Sequence, residues 1–339
     1  IMIGNDQLIY VCDYAANEVI MLDGGGRVLY KRSIPHPISL AQNFKLDLYV
    51  GGEAIAPNGT DTIGAIYRIS LARLDTSYVV GFDTVQNPSG GTKIDTLRRD
   101  TSIFYNHDLA AAPMKVVWSE PGHPGRRFTG IGFLPDGEYL VTRDGPDNSS
   151  FVDPDSRLLR FRGGDTLVSP VTDVVTRPSG GTSITDVRHL TSIYVFPSLY
   201  DFVATQTTNE VTFGAIWMLY TFNNNFEGWL PKFDPSDPNQ RGTDFIAPYR
   251  YSNAIGVAYD RRKREVFILD EMLDSVSKFT YLGKYKSESF GKTLTAQNDL
   301  PGLNHPRGIA FSSDCTLYIS DTGNRLVRRF RLSSQTTCF

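Results

Sequence analysis

The feature that most limits how this chain can fold is a phrase near its C-terminus. It reads His305-Pro306-Arg307-Gly308-Ile309-Ala310-Phe311, a turn with Asp314, then Thr316-Leu317-Tyr318-Ile319-Ser320-Asp321, a turn with Gly323-Asn324, then Leu326-Val327-Arg328-Arg329-Phe330. Weaker copies recur along the whole sequence. Each copy is a set of short β-branched and aromatic runs separated by Gly, Pro, Asp and Asn, the residues of tight turns. A unit of this size has no second layer on which to bury its apolar face. It must stack on copies of itself.

Six units are legible, each reading as an inner strand of small residues with a Gly, a second aromatic and β-branched strand, an amphipathic third and a polar fourth. The first holds Leu8–Asp13 and Glu18–Leu22, with Gly24-Gly25-Gly26 as a turn. The second begins at Pro37-Ile38-Ser39-Leu40 and continues through Leu48-Tyr49-Val50 and Ala65–Ile69. The third holds Thr129–Phe133, the turn Pro135-Asp136-Gly137, Tyr139–Thr142 and Leu158–Phe161. The fourth holds Thr191–Val195, Asp201–Thr205 and Ala215–Leu219; the fifth Asn253–Ala258, Glu265–Asp270 and Ser277–Phe279. The C-terminal phrase is the sixth.

Six four-stranded antiparallel units arranged radially make an all-β, six-bladed β-propeller. The expectation is one domain over 1–339, with blades near 1–35, 36–120, 121–180, 181–245, 246–300 and 301–339. Seven blades is the alternative, with Thr101 to Trp118 as a degenerate extra unit. The first, fifth and sixth units resemble NHL repeats. In these an Asp closes the second strand and a polar residue follows shortly: Asp13 with Asn17, Asp270 with Asp274, Asp321 with Asn324. Physically such a pair pins the turn between strands two and three by side-chain hydrogen bonds, a structural role.

A second repeat lies in the insertions. Pro88-Ser89-Gly90-Gly91-Thr92 and Pro178-Ser179-Gly180-Gly181-Thr182 are each followed by a Thr-Ser-Ile at matched spacing. They read as linker turns between blades, since no Lys or helix start follows as a phosphate loop requires. The last unit has three strands before the chain turns polar at Ser333. Its outer strand is expected from residues before Ile1, from Ser333–Phe339, or from nowhere. Ile1-Met2-Ile3 reads as the middle of a strand, so a further segment is expected upstream.

Among three cysteines there is no C-x-x-C and no metal spacing. Cys315 precedes the second strand of its unit, at the end of the blade where the third strand finishes. Cys338 is therefore expected to pair with Cys315, leaving Cys12 free. Asn58-Gly59-Thr60 and Asn148-Ser149-Ser150 match the N-glycosylation pattern. Asp-Ser/Thr-aliphatic triplets at Asp61, Asp83, Asp95, Asp165 and Asp274 resemble an O-glycosylation signal of some secreted bacterial proteins. The alternative reading of all of them is turn chemistry.

With 34 Lys and Arg against 37 Asp and Glu, the chain lacks the basic excess of a nucleic-acid binder. Its longest apolar stretch, Phe213 to Phe222, is too short for a transmembrane helix. Hydrolase and nucleotide motifs are absent. His36 and His305 each precede a Pro at the start of an inner strand, so both are placed at one mouth of the channel. Propeller lyases that resemble NHL proteins bind zinc with axial histidines, but two are fewer than the three ligands of a catalytic zinc site. Asn253-Ala254-Ile255-Gly256-Val257 looks like an inner strand of the calcium-holding propeller lactonases, whereas His36, Thr129, Thr191 and His305 stand at the other inner-strand entrances and depart from their pattern. His36, Asn253 and His305 are thus the candidate catalytic residues.

Two Asp-rich loops are candidate calcium sites, with calcium as the candidate cofactor: Asp144, Asp147, Asn148, Asp153 and Asp155, and Asp234, Asp237, Asn239 and Asp244. Solvated Asp/Pro loops are the alternative. Trp118, Trp217 and Trp229, with Tyr220 and Phe222, read as blade core, or as a sugar or peptide patch. The function expected is a binding scaffold outside the cytoplasm (secreted, periplasmic or cell-surface). It would engage a protein or glycan through loops at 52–65, 85–113, 144–156 and 223–248, as a subunit of a cell-surface assembly. Membrane association, if any, would come through that assembly or an N-terminal anchor. The enzyme alternative is a metal-dependent lactonase or lyase working at the channel mouth.

Overall fold

In the computed structural model, the residues described are 1–74, 78–86, 92–100, 103–105, 108–146, 153, 155–168, 175–176, 182–183, 190–196, 201–206, 219–222, 229–231, 253–280, 285–291 and 302–331. The first blade is β1 (Met2–Ile3), β2 (Ile9–Asp13), β3 (Glu18–Leu22) and β4 (Val28–Ser33), paired in chain order. The second begins with β5 (Ser39–Gln42), β6 (Asp47–Ile55) and β7 (Thr62–Ser70). The chain then leaves as β8 (Ala72–Leu74) and β9 (Tyr78–Gln86), returns as β10 (Thr92–Asp100) and β11 (Ile103–Tyr105), and completes the blade with β12 (Met114–Ser119).

The third blade is β13 (Arg127–Phe133), β14 (Tyr139–Asp144), β15 (Arg157–Arg162) and β16 (Thr166–Leu167). A small hairpin, β17 (Val175–Thr176) with β18 (Thr182–Ser183), precedes the fourth. That blade is β19 (Leu190–Val195), β20 (Asp201–Gln206), β21 (Leu219–Phe222) and β22 (Trp229–Pro231). The fifth is β23 (Ala254–Asp260), β24 (Glu265–Asp270), β25 (Ser275–Thr280) and β26 (Tyr285–Phe290). The last sheet has three strands, β27 (Pro306–Phe311), β28 (Thr316–Asp321) and β29 (Leu326–Arg331).

The architecture is the expected β-propeller, but five four-stranded blades replace the six expected. The C-terminal unit contributes a three-stranded sheet among the described residues, and Ser333–Phe339 lie outside them. The seven-blade alternative falls because Met114–Ser119 pairs with β7 as an outer strand. Inner strands sit side by side around the hub, and β1 lies against β27, which closes the ring. Arg329 Nη1 donates to the Gly24 carbonyl at 3.3 Å across the closure.

Apolar clusters fill each space between neighbouring sheets. Tyr10, Val19 and Met21 meet Leu48, Val50 and Tyr67 between blades one and two. Tyr318 meets Ile9 and Leu22 where the last sheet meets the first. A strand buried on both faces reads as a continuous apolar run, as Val266–Leu269 of β24 does. Near the hub the sheets crowd. Inner strands β13, β19, β23 and β27 each carry a register break near their start. Just past it stands Gly130, Ser192, Gly256 or Gly308. A Cβ on Gly130 would lie 2.7 Å from the Ile193 nitrogen of the next blade, so only glycine permits that approach.

Hydroxyls then tie blade to blade around the hub. Ser39 Oγ donates to Phe128 O at 2.7 Å, Thr129 Oγ1 to Leu190 O at 2.5 Å, and Thr191 Oγ1 to Ala254 O at 2.7 Å. Each bond satisfies a carbonyl that the bulge frees from the ladder. The threonines that fail the lactonase pattern thus hold the ring together.

Candidate functional site

Inner strands begin on one face of the ring, here the entrance face, and end on the other, the exit face. The NHL-like turns lie on the entrance face. Asp13 Oδ1 accepts the Ala16 N–H at 2.9 Å, and Asp270 Oδ1 accepts those of Met272 and Leu273 at 3.0 and 2.9 Å. Asp321 Oδ2 accepts from Asn324 Nδ2 at 2.9 Å. The structural role expected of these aspartates is what the structure shows. Their partners do something further. Asn17 Oδ1 accepts the His36 N–H at 2.9 Å, and Asp274 Oδ1 accepts the His305 N–H at 2.7 Å. Both histidines hold a left-handed backbone, with φ of 41° and 45°. They occupy equivalent blade-entrance turns, each anchored by the preceding blade.

The His36 ring stacks on Tyr14 at 4.6 Å between centroids, and its Nδ1 lies 2.7 Å from Glu53 Oε2. Glu53, at the end of blade two, also receives Arg127 Nη2 from blade three at 3.0 Å. Blade five repeats the arrangement. Asn253 Nδ2 donates to Glu271 Oε2 at 2.8 Å, and Arg307 Nη2 of the last sheet reaches Oε1 at 2.6 Å. A buried carboxylate at the end of strand two therefore takes one partner from its own blade and a guanidinium from the next. Asn253 Oδ1 is buried and has no hydrogen-bond partner among the described residues. His36, Asn253 and His305 share this face but stand at blade two, blade five and the last, three-stranded sheet.

The first Asp-rich loop belongs to a buried ion network. Arg126, 2% exposed, donates through Nε to Asp155 Oδ1 at 2.7 Å, through Nη1 to Glu120 at 2.8 Å and through Nη2 to Asp153 Oδ2 at 2.8 Å. Arg143 contacts Glu120 at 2.6 Å and Asp153 at 3.1 Å. Burial opposes ionisation of Asp153, but its bonds to the two arginines prevail and hold its carboxyl below the usual range. Ser156 Oγ donates to Asp144 at 3.1 Å. Asp147 and Asn148, and the second loop with Asp234, Asp237, Asn239 and Asp244, lie outside the described residues. Among the described residues no cluster of three metal-ligating side chains stands together.

Trp118 is core, set edge-on to Phe161 at 5.5 Å. The side chains of Trp217, Trp229, Tyr220 and Phe222 lie outside the described residues. Cys12 is free, and burial pushes its thiol up to about 12. Cys315 is buried at the turn into β28, and Cys338 lies outside the described residues. Asn58 and Thr62 are exposed, whereas Asp165 of another candidate glycosylation triplet is buried. No helix among the described residues is long and apolar enough to cross a membrane.

The expected binding loops do not share one face. Residues 52–65 are mostly strand, since β6 runs to Ile55 and β7 starts at Thr62. Residues 85–113 hold the end of β9 and all of β10 and β11, and this excursion leaves from the exit end of β7. The Pro88 motif falls between β9 and β10, within one blade, and not between blades as expected.

Sequence reasoning missed a cavity of about 380 Å³ on the exit face between blades two and three. The turn after β5, the turn after β13 and the turn after β15 form its rim. Asp165 sits at its base with φ 66°. Its Oδ1 accepts the hydroxyls of Tyr49 and Tyr139 at 2.9 and 3.1 Å. Arg68 reaches Asp165 Oδ2 at 3.3 Å and Asp47 at 2.7 Å. Burial and then the Asp165 carboxylate push the hydroxyl of Tyr49 well above its ordinary range, and Tyr139 is raised likewise. Tyr49, Phe133 and Tyr139 touch one another with centroids 5.0–5.2 Å apart. Phe44 stands at the rim, 63% exposed.

No family model matches the chain, and no curated protein matches its sequence. Solved structures do match in shape. An auxiliary nutrient binding protein from Bacteroides thetaiotaomicron superposes with a TM-score of 0.57 at 9% identity, over 96% of this chain and 66% of that one. A chain of a nidogen/laminin complex gives 0.55 at 12% identity, over 96% and 89%. A gluconolactonase-like protein gives 0.52 at 12% identity, over 92% and 81%. At such identities the likeness is one of fold, and by it this chain is a β-propeller.

Proposed function

We propose that the protein is a binding scaffold working outside the cytoplasm, with the exit face of blades two and three as its contact surface. The observation that carries this reading is the pairing, on one face, of an aromatic-lined cavity with the β9–β10 ribbon rooted beside it. Lys115, at the start of β12 where the ribbon rejoins the blade, lies 3.5 Å from Asp165 at the cavity base. Elements inserted on a regular scaffold commonly carry recognition. The partner expected is a protein or glycan of a cell-surface assembly. A nutrient binding protein and a nidogen/laminin complex among the structural neighbours are consistent with binding, though at that similarity they speak only for the fold. The test is capture from native envelopes with the full chain and with a variant whose ribbon, residues 75–107, is replaced by a short turn. Loss of the captured partner with the ribbon supports the reading. Equal capture by both chains refutes it.

One observation favours the enzyme reading: the buried, unpartnered Oδ1 of Asn253 at the entrance face. A metal-dependent lactonase- or lyase-like site there would draw on His36, Asn253 and His305. Metal analysis of the purified protein separates the readings. Stoichiometric zinc or calcium lost in both His305→Ala and Asn253→Ala would establish the enzyme reading. A calcium-dependent rise in thermal stability abolished by Asp153→Asn would instead locate calcium in the loop that Arg126 and Arg143 occupy.

A further inference from the structure

We propose that the exit-face cavity between blades two and three is a subsite for one neutral sugar ring. This names the ligand class for the surface assigned above and rests on that reading. The volume, about 380 Å³, falls at the lower end of the range for small-ligand sites, roughly 300–1,000 Å³. Its walls are amphipathic in a particular way. Phe133 and the rim residue Phe44 give apolar ring faces above the buried Tyr49, Tyr139 and Asp165, while Arg68 and Arg162 give hydrogen-bonding groups at the edges. A pyranose presents the same pattern, an apolar C–H face bounded by hydroxyls that both donate and accept.

Charge decides against an anion. Arg68 is neutralised by Asp47 and Asp165, and Arg162 lies 3.4 Å from Glu138. Lys45 also lines the cavity, but Asp47, Asp136, Glu138 and Asp165 stand against Lys45, Arg68 and Arg162, so the site holds no excess positive charge for an anion to neutralise. A cation meets the opposite problem, because Arg68 already stands 5.9 Å from the Tyr49 ring centroid. Phe44 supplies the independent pointer. It is a large apolar ring held in water at the tip of the turn after β5, a place where Asn, Asp, Gly and Ser prevail. Opposite it, a Cβ on Gly137, Gly163 or Gly164 would meet nothing within 4 Å, so the rim is open.

The experiment titrates the full chain with methyl α-mannoside, methyl β-glucoside, methyl β-galactoside and N-acetylglucosamine, with glucuronate as the charged control. Saturation-transfer NMR detects binding and calorimetry measures it. At least one neutral glycoside is expected to bind saturably and more tightly than glucuronate. Phe44→Ala and Arg162→Ala change side chains that are largely exposed, so both variants keep the fold. Each is expected to weaken binding by about fivefold to tenfold. Tyr14→Ala on the entrance face should leave it unchanged. The inference is overturned if no neutral glycoside binds, if glucuronate binds best, or if binding ignores both exit-face variants. If no glycoside binds but the ribbon-dependent partner is still captured after enzymatic deglycosylation, the sugar inference fails and the binding reading stands. Loss of both overturns both.

Discussion

Replacing Arg126 with Met tests whether the buried ion network holds blades two and three together. Arg126 is 2% exposed and supports Glu120, Asp153 and Asp155 at once. Methionine keeps most of the side-chain volume, so the change removes charge and hydrogen bonds without opening a large cavity. Glu120 retains Arg143 after the substitution, and Asp153 is partly exposed. Asp155, 7% exposed, is the group left with a charge and no cation, since its carboxylate's guanidinium partner is Arg126. Orphaning one member of a buried pair destabilises by about 3–5 kcal/mol. At roughly 2.1 cal/mol/K per residue of unfolding entropy, a 339-residue chain loses about 1.4 °C per kcal/mol, so the midpoint should fall about 4–7 °C.

The assay is urea unfolding followed by circular dichroism, with thermal scans beside it. The decisive comparison is the double variant Arg126→Met with Asp155→Asn, which removes the orphaned charge. It should be more stable than Arg126→Met alone. Acid adds a second signature. The Asp153 carboxyl is held below the ordinary carboxylate range, so its contribution is complete above that range and is lost as pH falls through the lowered value. Without Arg126 that loss should begin at higher pH. A cost under about 1 kcal/mol, or a double variant no more stable than the single, would refute the orphaned-charge argument.

Three further outcomes are expected. Thr129→Val and Thr191→Val should each cost about 1 kcal/mol, and Gly130→Ala about 1–3 kcal/mol, while Gly24→Ala, with open space around it, should stay within about 0.5 kcal/mol in urea titrations. The tyrosines at Asp165 have folded pKa values raised above 10.0, so their contribution is complete below pH 10 and is lost as pH rises through the raised values; tyrosinate absorbance of Tyr49 and Tyr139 should appear only with unfolding, and Tyr49→Phe and Tyr139→Phe should each remove part of the absorbance step that accompanies it. Peptide mapping without reductant should recover Cys315 joined to Cys338, and Cys12, with its thiol pushed up to about 12, should react slowly with thiol reagents until the protein unfolds.

Local chemistry was legible and contact across blades was not. Asp13, Asp270 and Asp321 could be assigned to turns because donor and acceptor lie within a few residues. The equivalence of His36 and His305 followed from His-Pro before an inner strand. Their anchors, Asn17 and Asp274, were read only as turn residues because the bond spans two blades. Residues 52–65 were expected as a loop, yet Gly52 and Gly64 lie within β6 and β7, where a Cβ would lie 2.8 Å from Pro35 O and 2.5 Å from Arg126 O. The ribbon was missed because a search for four consecutive strands fails when β8 to β11 separate the third strand from its outer partner. Tyr49 and Asp165 stand 116 residues apart, and nothing in either strand's alternation announces the cavity between them.

The two faces differ in what they leave for a ligand. On the entrance face Glu53 and Glu271 each draw an arginine from the next blade, and Arg126 and Arg143 saturate the nearby aspartates. Those charges are spent on holding neighbours in register, and a ligand there would compete with bonds the ring needs. On the exit face the buried charges again neutralise one another, but they do so beneath aromatic surface that still faces an open cavity. A ligand placed there gains contact area and edge hydrogen bonds without breaking an inter-blade tie. That asymmetry, more than the presence of any single residue type, is the physical reason to look for recognition on the exit face.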